Sequence, residues 1–179
     1  RTMADRIWFL IPELILLSGA VVCAIGGLSN AAAIRRRIGF IASVFLLASC
    51  VSIPFVYGQV HIADSSALYP WLGKYVKFTV GIIGILLVMT SGGLMDRTYE
   101  HAIASGKDRF NALRTSAGEY HALLLLSITG VMLLCEANDL IWLFLALELV
   151  SLPTYVMVAM SRWSQVGQEA AMKYFFLGA

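Results

Sequence analysis

The sequence predicts an all-α fold, a polytopic transmembrane helical bundle. Of its 179 residues 59% are hydrophobic and only 13% are charged, and the mean hydropathy is +0.80. An ordinary soluble domain has about 25% charged residues. A bilayer core about 30 Å thick is crossed by a helix of about 20 apolar residues. Runs of that kind recur along the chain, so lipid is the expected surroundings.

Five predicted spans follow one another. They cover residues 7–28, 38–60, 76–95, 120–135 and 140–160. A sixth helix begins near Gly167 and stops at Ala179. At about 1.5 Å per residue it is too short to cross the membrane, so the chain looks truncated. The polar stretch 96–116 mixes both signs of charge, as expected for a solvated connector.

The lysines and arginines predict an orientation, because positive loops are translocated poorly. The loops after spans one, three and five hold eight of the 13 basic residues, and the other side holds four, including Lys74 and Lys77. The N-terminus is therefore predicted outside. The link 136–139 between spans four and five allows only an antiparallel hairpin, with Asn138 or Asp139 as the cap of the next helix.

Several classes of function are disfavoured by the composition. A net charge of +2, with scattered basic residues, does not indicate nucleic-acid binding. Cys23, Cys50 and Cys135 lie in apolar stretches without metal-ligand spacing, so we expect no metal site. There is no phosphate-binding loop and no nucleophilic triad. Any catalysis must move ions across the membrane or be performed by partner subunits.

Glu148 is the strongest candidate for chemistry. It lies about 12 Å inside the fifth span, where an ionised carboxylate costs several kcal/mol unless it is paired or hydrated. Ser151 and Tyr155 share its helical face. Pro153 cannot donate to the carbonyl of Leu149, which predicts an unpaired acceptor and a bend near the acid. The alternative is a neutral glutamate that holds two helices together.

The remaining ionisable residues have structural explanations from sequence alone. Lys173 follows Glu169 by one turn, in the favourable order for a helical ion pair, and either a structural or a functional role fits it. Glu13 could be an interfacial charge or could point into the bundle, and we expect the former. We expect Lys77, with Lys74, to snorkel to the membrane surface. His121, like His61 and His101, is expected to be solvated.

Three segments, CEANDLI (135–141), LALELVSLPTY (145–155) and EAAMKYFFLGA (169–179), resemble subunit N (subunit 2) of the proton-pumping NADH:quinone oxidoreductase, respiratory complex I. The resemblance extends weakly to the N-terminus. It implies an antiporter-like subunit of inverted helical repeats. Residues 1–117 would then be three leading helices with a cytoplasmic loop, and residues 118–179 would begin the first repeat.

The resemblance also implies site residues and partners. Glu148 and Lys173 match family positions on the proton path, and Ser151, Pro153 and Tyr155 would give polar support and the helix bend. The direct lysine partner of the glutamate would lie on a later helix that these residues do not include. Quinone reduction elsewhere in the complex would alter the Glu148 ion pair and release protons outward. NADH, FMN, iron-sulfur clusters and quinone would bind partner subunits, so this chain would have no cofactor and no redox site.

The implied location is the bacterial inner membrane, which we favour over the mitochondrial inner membrane. The expected partners are other membrane-arm subunits of complex I and the lipid bilayer, with no nucleic acid. Two alternatives stay open. The chain could belong to a multisubunit cation/proton antiporter or a membrane-bound hydrogenase, which share the fold. It could also be a truncated structural subunit that conducts no protons, which intramembrane lysines in a continuation would exclude.

Overall fold

The structure is a computed structural model that describes residues 7–29, 32–59, 70–91, 105, 117–160 and 165–178. Its helices, in chain order, are α1 (Ile11–Gly27), α2 (Ala32–Arg36), α3 (Ile38–Gln59), α4 (Pro70–Thr90), α5 (Ala117–Leu134), α6 (Leu140–Met160) and α7 (Gln165–Gly178). The described residues form no strand. The predicted all-α transmembrane fold is confirmed.

The predicted spans correspond to α1, α3, α4, α5 and α6. Four helices, α3 to α6, are long and apolar enough to cross a membrane, and α1 is a shorter apolar helix. Its 17 residues lie at the lower end of the usual range for a span, about 17–25. One boundary differs from the prediction in a way that matters. Helix α4 begins at Pro70 instead of near Val76, so Lys77 lies about two turns inside it.

Helix α5 is the centre of the bundle. It packs against α1, α3, α4 and α6, and α1 also packs against α3. The close approach of α1 and α5 depends on two glycines, because a Cβ at Gly118 would clash with the Cα of Gly27. Leu16, Leu46 and Leu125 are fully buried in the core that these helices share.

The outer helices expose large apolar side chains, as a lipid-facing surface requires. On α6, only Ala146 and Pro153 are buried. Leu140, Ile141 and Phe144 of the same helix are exposed. Such a surface is far more apolar than that of a soluble monomer, and it fits immersion in hydrocarbon.

The α5–α6 connection is the hairpin that the short link predicts. The backbone N–H of Trp142 donates to Asp139 Oδ1 at 2.6 Å, so Asp139 is the N-cap of α6. Both predictions, the hairpin and the cap, are confirmed. The connector 96–116 lies outside the described residues, apart from Ser105. His61 and His101 also lie outside them.

Candidate functional site

Glu148 lies eight residues after the start of α6 and is half-buried. At about 1.5 Å per residue this places it about 12 Å along the helix. Within the described part of the chain, no side chain forms an ion pair or a hydrogen bond with its carboxylate. The structure therefore places an acid inside an apolar helix and leaves its carboxylate open to water or to a further helix.

The hairpin partner of α6 approaches closely just beyond Glu148. A Cβ at Gly130 of α5 would clash with the backbone of Leu149 and Val150. The Ser127 hydroxyl lies 3.5 Å from the carbonyl oxygen of Val150, at the limit of a hydrogen bond. Pro153 has no N–H for the carbonyl one turn earlier, and α6 nevertheless continues past it to Met160. The carbonyl of Leu149, which lacks its helical donor, thus lies beside the acid.

The polar face shared by Glu148, Ser151 and Tyr155 turns toward α7 at its far end. The Tyr155 ring contacts the rings of Tyr174 and Phe175 edge-on, with centroids 4.8 and 5.6 Å away. Tyr155 lies seven residues, or about 10 Å, from Glu148 along the helix. The aromatic contact therefore lies about two helical turns from Glu148. The Thr154 hydroxyl donates a hydrogen bond to the carbonyl oxygen of Ser151 at 2.7 Å.

Lys173 is not brought to Glu148. Its Nζ lies 2.6 Å from Glu169 Oε1, and both side chains are exposed, by 71% and 65%. This is the one-turn ion pair that the sequence predicts, and that prediction is confirmed. An exposed pair of this kind contributes at most about 1 kcal/mol to stability.

A second ionic site, which the sequence did not predict, lies at the turn that joins α5 and α6. Lys77 Nζ is 2.7 Å from Glu13 Oε1 and 2.8 Å from Glu136 Oε1. The Tyr57 hydroxyl donates to the same Glu136 oxygen at 2.8 Å. We call Glu13, Tyr57, Lys77 and Glu136 the Lys77 cluster. It joins α1, α3, α4 and the α5–α6 turn at one end of the bundle.

Two expectations are wrong here. Glu13 and Lys77 were expected at the membrane surface, but their side chains are 2% and 0% exposed. The reason is the early start of α4, which carries Lys77 about 10 Å into the bundle. Packing of α1 against α3 buries Glu13 as well, and Ser49 of α3 donates to the carbonyl of Pro12 at 3.1 Å. The sequence did contain a signal. Two glutamates and one lysine lie near helix ends on the same predicted side of the membrane.

The prediction that His121 is solvated is also wrong. It is buried at the start of α5, where Nδ1 lies 2.6 Å from the carbonyl oxygen of Ala117 and Nε2 lies 3.0 Å from the Ser91 hydroxyl. A carbonyl oxygen only accepts, so Nδ1 is the protonated nitrogen. The ring therefore links α5 to the end of α4 instead of facing water.

The family comparisons agree with the segments that define the Glu148 site. The family described as NADH:quinone oxidoreductase/Mrp antiporter, transmembrane, matches residues 137–179. Subunit N 1 of the NADH-quinone oxidoreductase of Rhizobium meliloti is 34% identical over 185 residues, which cover 100% of this chain and 34% of the relative. This chain is a relative of subunit N of the NADH-quinone oxidoreductases. Subunit N of Francisella tularensis subsp. holarctica is 31% identical, over 99% of this chain and 34% of the relative.

The subunit N relatives extend beyond NADH-linked complexes. The F(420)H(2) dehydrogenase subunit N of Methanosarcina mazei is 28% identical over 98% of this chain and 34% of its own length. The chain spans about a third of the length of the curated relatives it matches. No solved structure matches.

The stretch that matches the antiporter family, residues 137–179, separates the two ionic sites. Glu148, Ser151, Pro153, Tyr155 and Lys173 all lie in the stretch that matches the antiporter family. Of the Lys77 cluster, only Glu136 lies near that stretch, one residue before it. The remaining members belong to the leading helices α1, α3 and α4. In the part of the chain that the structure describes, no group of His, Cys, Asp and Glu could hold a metal ion.

Proposed function

We propose that this chain is part of a proton-translocating membrane subunit of an NADH:quinone oxidoreductase, with Glu148 on the proton path. The observation that supports this most directly is the half-buried carboxylate about 12 Å inside α6, within the segment that matches the antiporter family. A charged residue at such a depth costs about 2.5–3.5 kcal/mol on insertion scales and typically serves an ion pathway.

The role of Glu148 is electrostatic. An ionised carboxylate within about 4–6 Å of a lysine favours the protonated form of that lysine. This stabilisation is lost when the two groups separate. The open carboxylate allows a lysine of a later helix to approach and withdraw. Lys173, on the exposed surface of α7, is a second group on the same path once further helices cover it. The Leu149 carbonyl and the hydroxyls of Ser151 and Tyr155 would hold water between these groups.

The electron transfer that drives this movement belongs to partner subunits. NADH, FMN, iron-sulfur clusters and quinone bind there, and the membrane-arm neighbours contact the apolar outer surface of this chain. The location in this proposal is the bacterial inner membrane. The distribution of basic residues favours an orientation with the N-terminus outside. A reporter fused before α1 and another fused after α6 test that orientation, because only one of the two is expected to be active in the cytoplasm.

The test of Glu148 is proton pumping by the assembled complex in sealed vesicles, recorded together with NADH-driven quinone reduction. Glu148→Gln keeps the shape and removes the charge. We expect at least a tenfold loss of pumping, with quinone reduction falling in parallel because the two are coupled. Glu119→Gln is the matched control, since this glutamate is exposed in the first turn of α5, and it should pump normally. Normal pumping by assembled Glu148→Gln would leave only the helix-packing role.

A second candidate is a membrane subunit of an F(420)H(2)-oxidising complex, which the Methanosarcina mazei relative supports. The intramembrane chemistry would be the same, and only the electron donor would differ. Vesicles that contain the complex distinguish the two. Quinone reduction with NADH supports the first proposal, and reduction of the membrane carrier with reduced F(420) alone supports the second.

A further inference from the structure

The Lys77 cluster contains more negative than positive charge. Two carboxylates, Glu13 and Glu136, contact the single ammonium of Lys77. Two oxygens that touch one nitrogen lie within about 6 Å of each other, the range in which like charges disfavour joint ionisation. Among the described residues, the charges that act on Glu13 are Lys77 and Glu136. If both carboxylates were ionised, the site would have one unbalanced negative charge.

Burial makes that unbalanced charge expensive. Lys77 and Glu13 are fully buried, and the Glu136 side chain is only 10% exposed. An ion removed from water without compensation is disfavoured so strongly that such groups usually become neutral. The other titratable groups at the site, as far as the structure describes the chain, are Tyr57 and Cys135, and neither supplies a positive charge. One proton on one of the two carboxyls restores neutrality.

The hydrogen bonds identify which carboxyl holds the proton. Glu136 Oε1 accepts from both Lys77 Nζ and the Tyr57 hydroxyl, each at 2.8 Å. Two donors stabilise a carboxylate. Among the described residues, Glu13 has a single side-chain donor, Lys77 Nζ, which lies 2.7 Å from its Oε1. The charged form of Glu13 is therefore the less stabilised of the two, and its position is the deeper.

We propose that Glu13, Lys77 and Glu136 form a proton-binding site that holds one proton on Glu13 near neutral pH. Glu136, in the α5–α6 turn, is the least buried member and connects Glu13 to the aqueous surface. The site is separate from Glu148, which lies about 12 Å along α6 from the same turn. The inference goes beyond the proposed function, and its success or failure does not depend on whether Glu148 moves protons.

The proposal is tested by infrared spectroscopy of the full-length subunit in its assembled complex, in lipid vesicles near neutral pH. A protonated carboxyl and a carboxylate absorb at separate frequencies, and a difference spectrum between wild type and Glu13→Gln isolates one residue. We expect the variant to lose one carboxylic-acid carbonyl band. That band should shift in heavy water and disappear from wild type as the pH is raised. Glu119→Gln, at an exposed glutamate of α5, should instead lose a carboxylate band.

The Glu136→Gln variant gives an independent result. With Glu136 uncharged, Glu13 and Lys77 become a neutral ion pair, so the acid band of Glu13 should be lost while the number of carboxylates stays the same. If the Glu13→Gln variant does not assemble, the spectrum of Glu136→Gln by itself tests the proposal. A carboxylate band lost from Glu13→Gln, or an acid band unchanged in Glu136→Gln, would overturn the proposal. It would show that the cluster is a fully ionised structural contact.

Discussion

Replacing Lys77 by methionine removes the charge of the cluster and keeps most of the volume of the side chain. The structure predicts a large cost. Lys77 is fully buried, and its Nζ lies 2.7 and 2.8 Å from two carboxylate oxygens. Removing one partner of a buried ion pair typically costs about 3–5 kcal/mol, because the remaining charge stays buried without compensation. Protonation of the carboxyls limits that cost, so we expect a loss of about 3 kcal/mol.

The assay is the free energy of unfolding of the full-length subunit, measured by denaturant titration in mixed micelles. Lys173→Met is the matched control, since it removes a lysine from an ion pair that is mostly exposed. Exposed pairs contribute about 0–1 kcal/mol, so the control should lose less than about 1 kcal/mol. The difference between the two variants reports burial, because each loses the same chemical group.

A combined variant distinguishes lost charge from lost packing. Adding Glu13→Met and Glu136→Met to Lys77→Met leaves no charge in the cluster. Hydrophobic replacements of a buried ion pair that are similar in volume are often neutral or stabilising relative to the original, so the triple variant should regain at least about 2 kcal/mol. The reasoning is refuted if Lys77→Met behaves like Lys173→Met, or if the triple variant is no more stable than Lys77→Met.

Three further predictions concern local features. Gly118→Ala places a methyl group against the backbone of α1 and should cost about 1–3 kcal/mol of unfolding free energy, whereas Gly58→Ala enters open space and should be neutral or stabilising by up to about 1 kcal/mol. Asp139→Ala removes the N-cap of α6 and should cost about 0.5–2 kcal/mol by the same titration. The exposed Asn138→Ala is the control, and an equal loss would contradict the cap. Burial raises the pKa of the Cys135 thiol, so less thiolate is present near neutral pH. Its alkylation by a maleimide should be slower than that of free cysteine and should accelerate only at higher pH, and an equal rate would contradict the buried environment.

The hairpin shows what sequence predicts well. The end of α5, the short link and a cap at Asn138 or Asp139 were evident from the chain, because hairpins and caps depend on residues close in sequence, and the structure selects Asp139. The depth of Glu148 followed in the same way, from counting residues along one helix. The functional assignment of Glu148 and Lys173 needed the family resemblance as well. Their roles on a proton path remain predictions.

The positions of Glu13 and Lys77 show where sequence reasoning failed. Each lies near a helix end, where snorkelling to the surface and burial against a neighbour are both possible. The choice depends on which helices meet at that end and where α4 begins, and neither is evident from local pattern. The signal that was available, opposite charges near helix ends on one side of the bundle, becomes decisive only once the packing is known.

The sequence by itself determined the membrane class, the order of the helices and the hairpin around Glu148. These follow from hydrophobic length and local hydrogen bonding, since in lipid each helix must satisfy its own backbone. Only the tertiary structure brought Glu13, Lys77 and Glu136 together. Their contacts join residues 59 or more positions apart, and long-range packing of α1, α3, α4 and α5 sets the distances and the burial on which their charge depends.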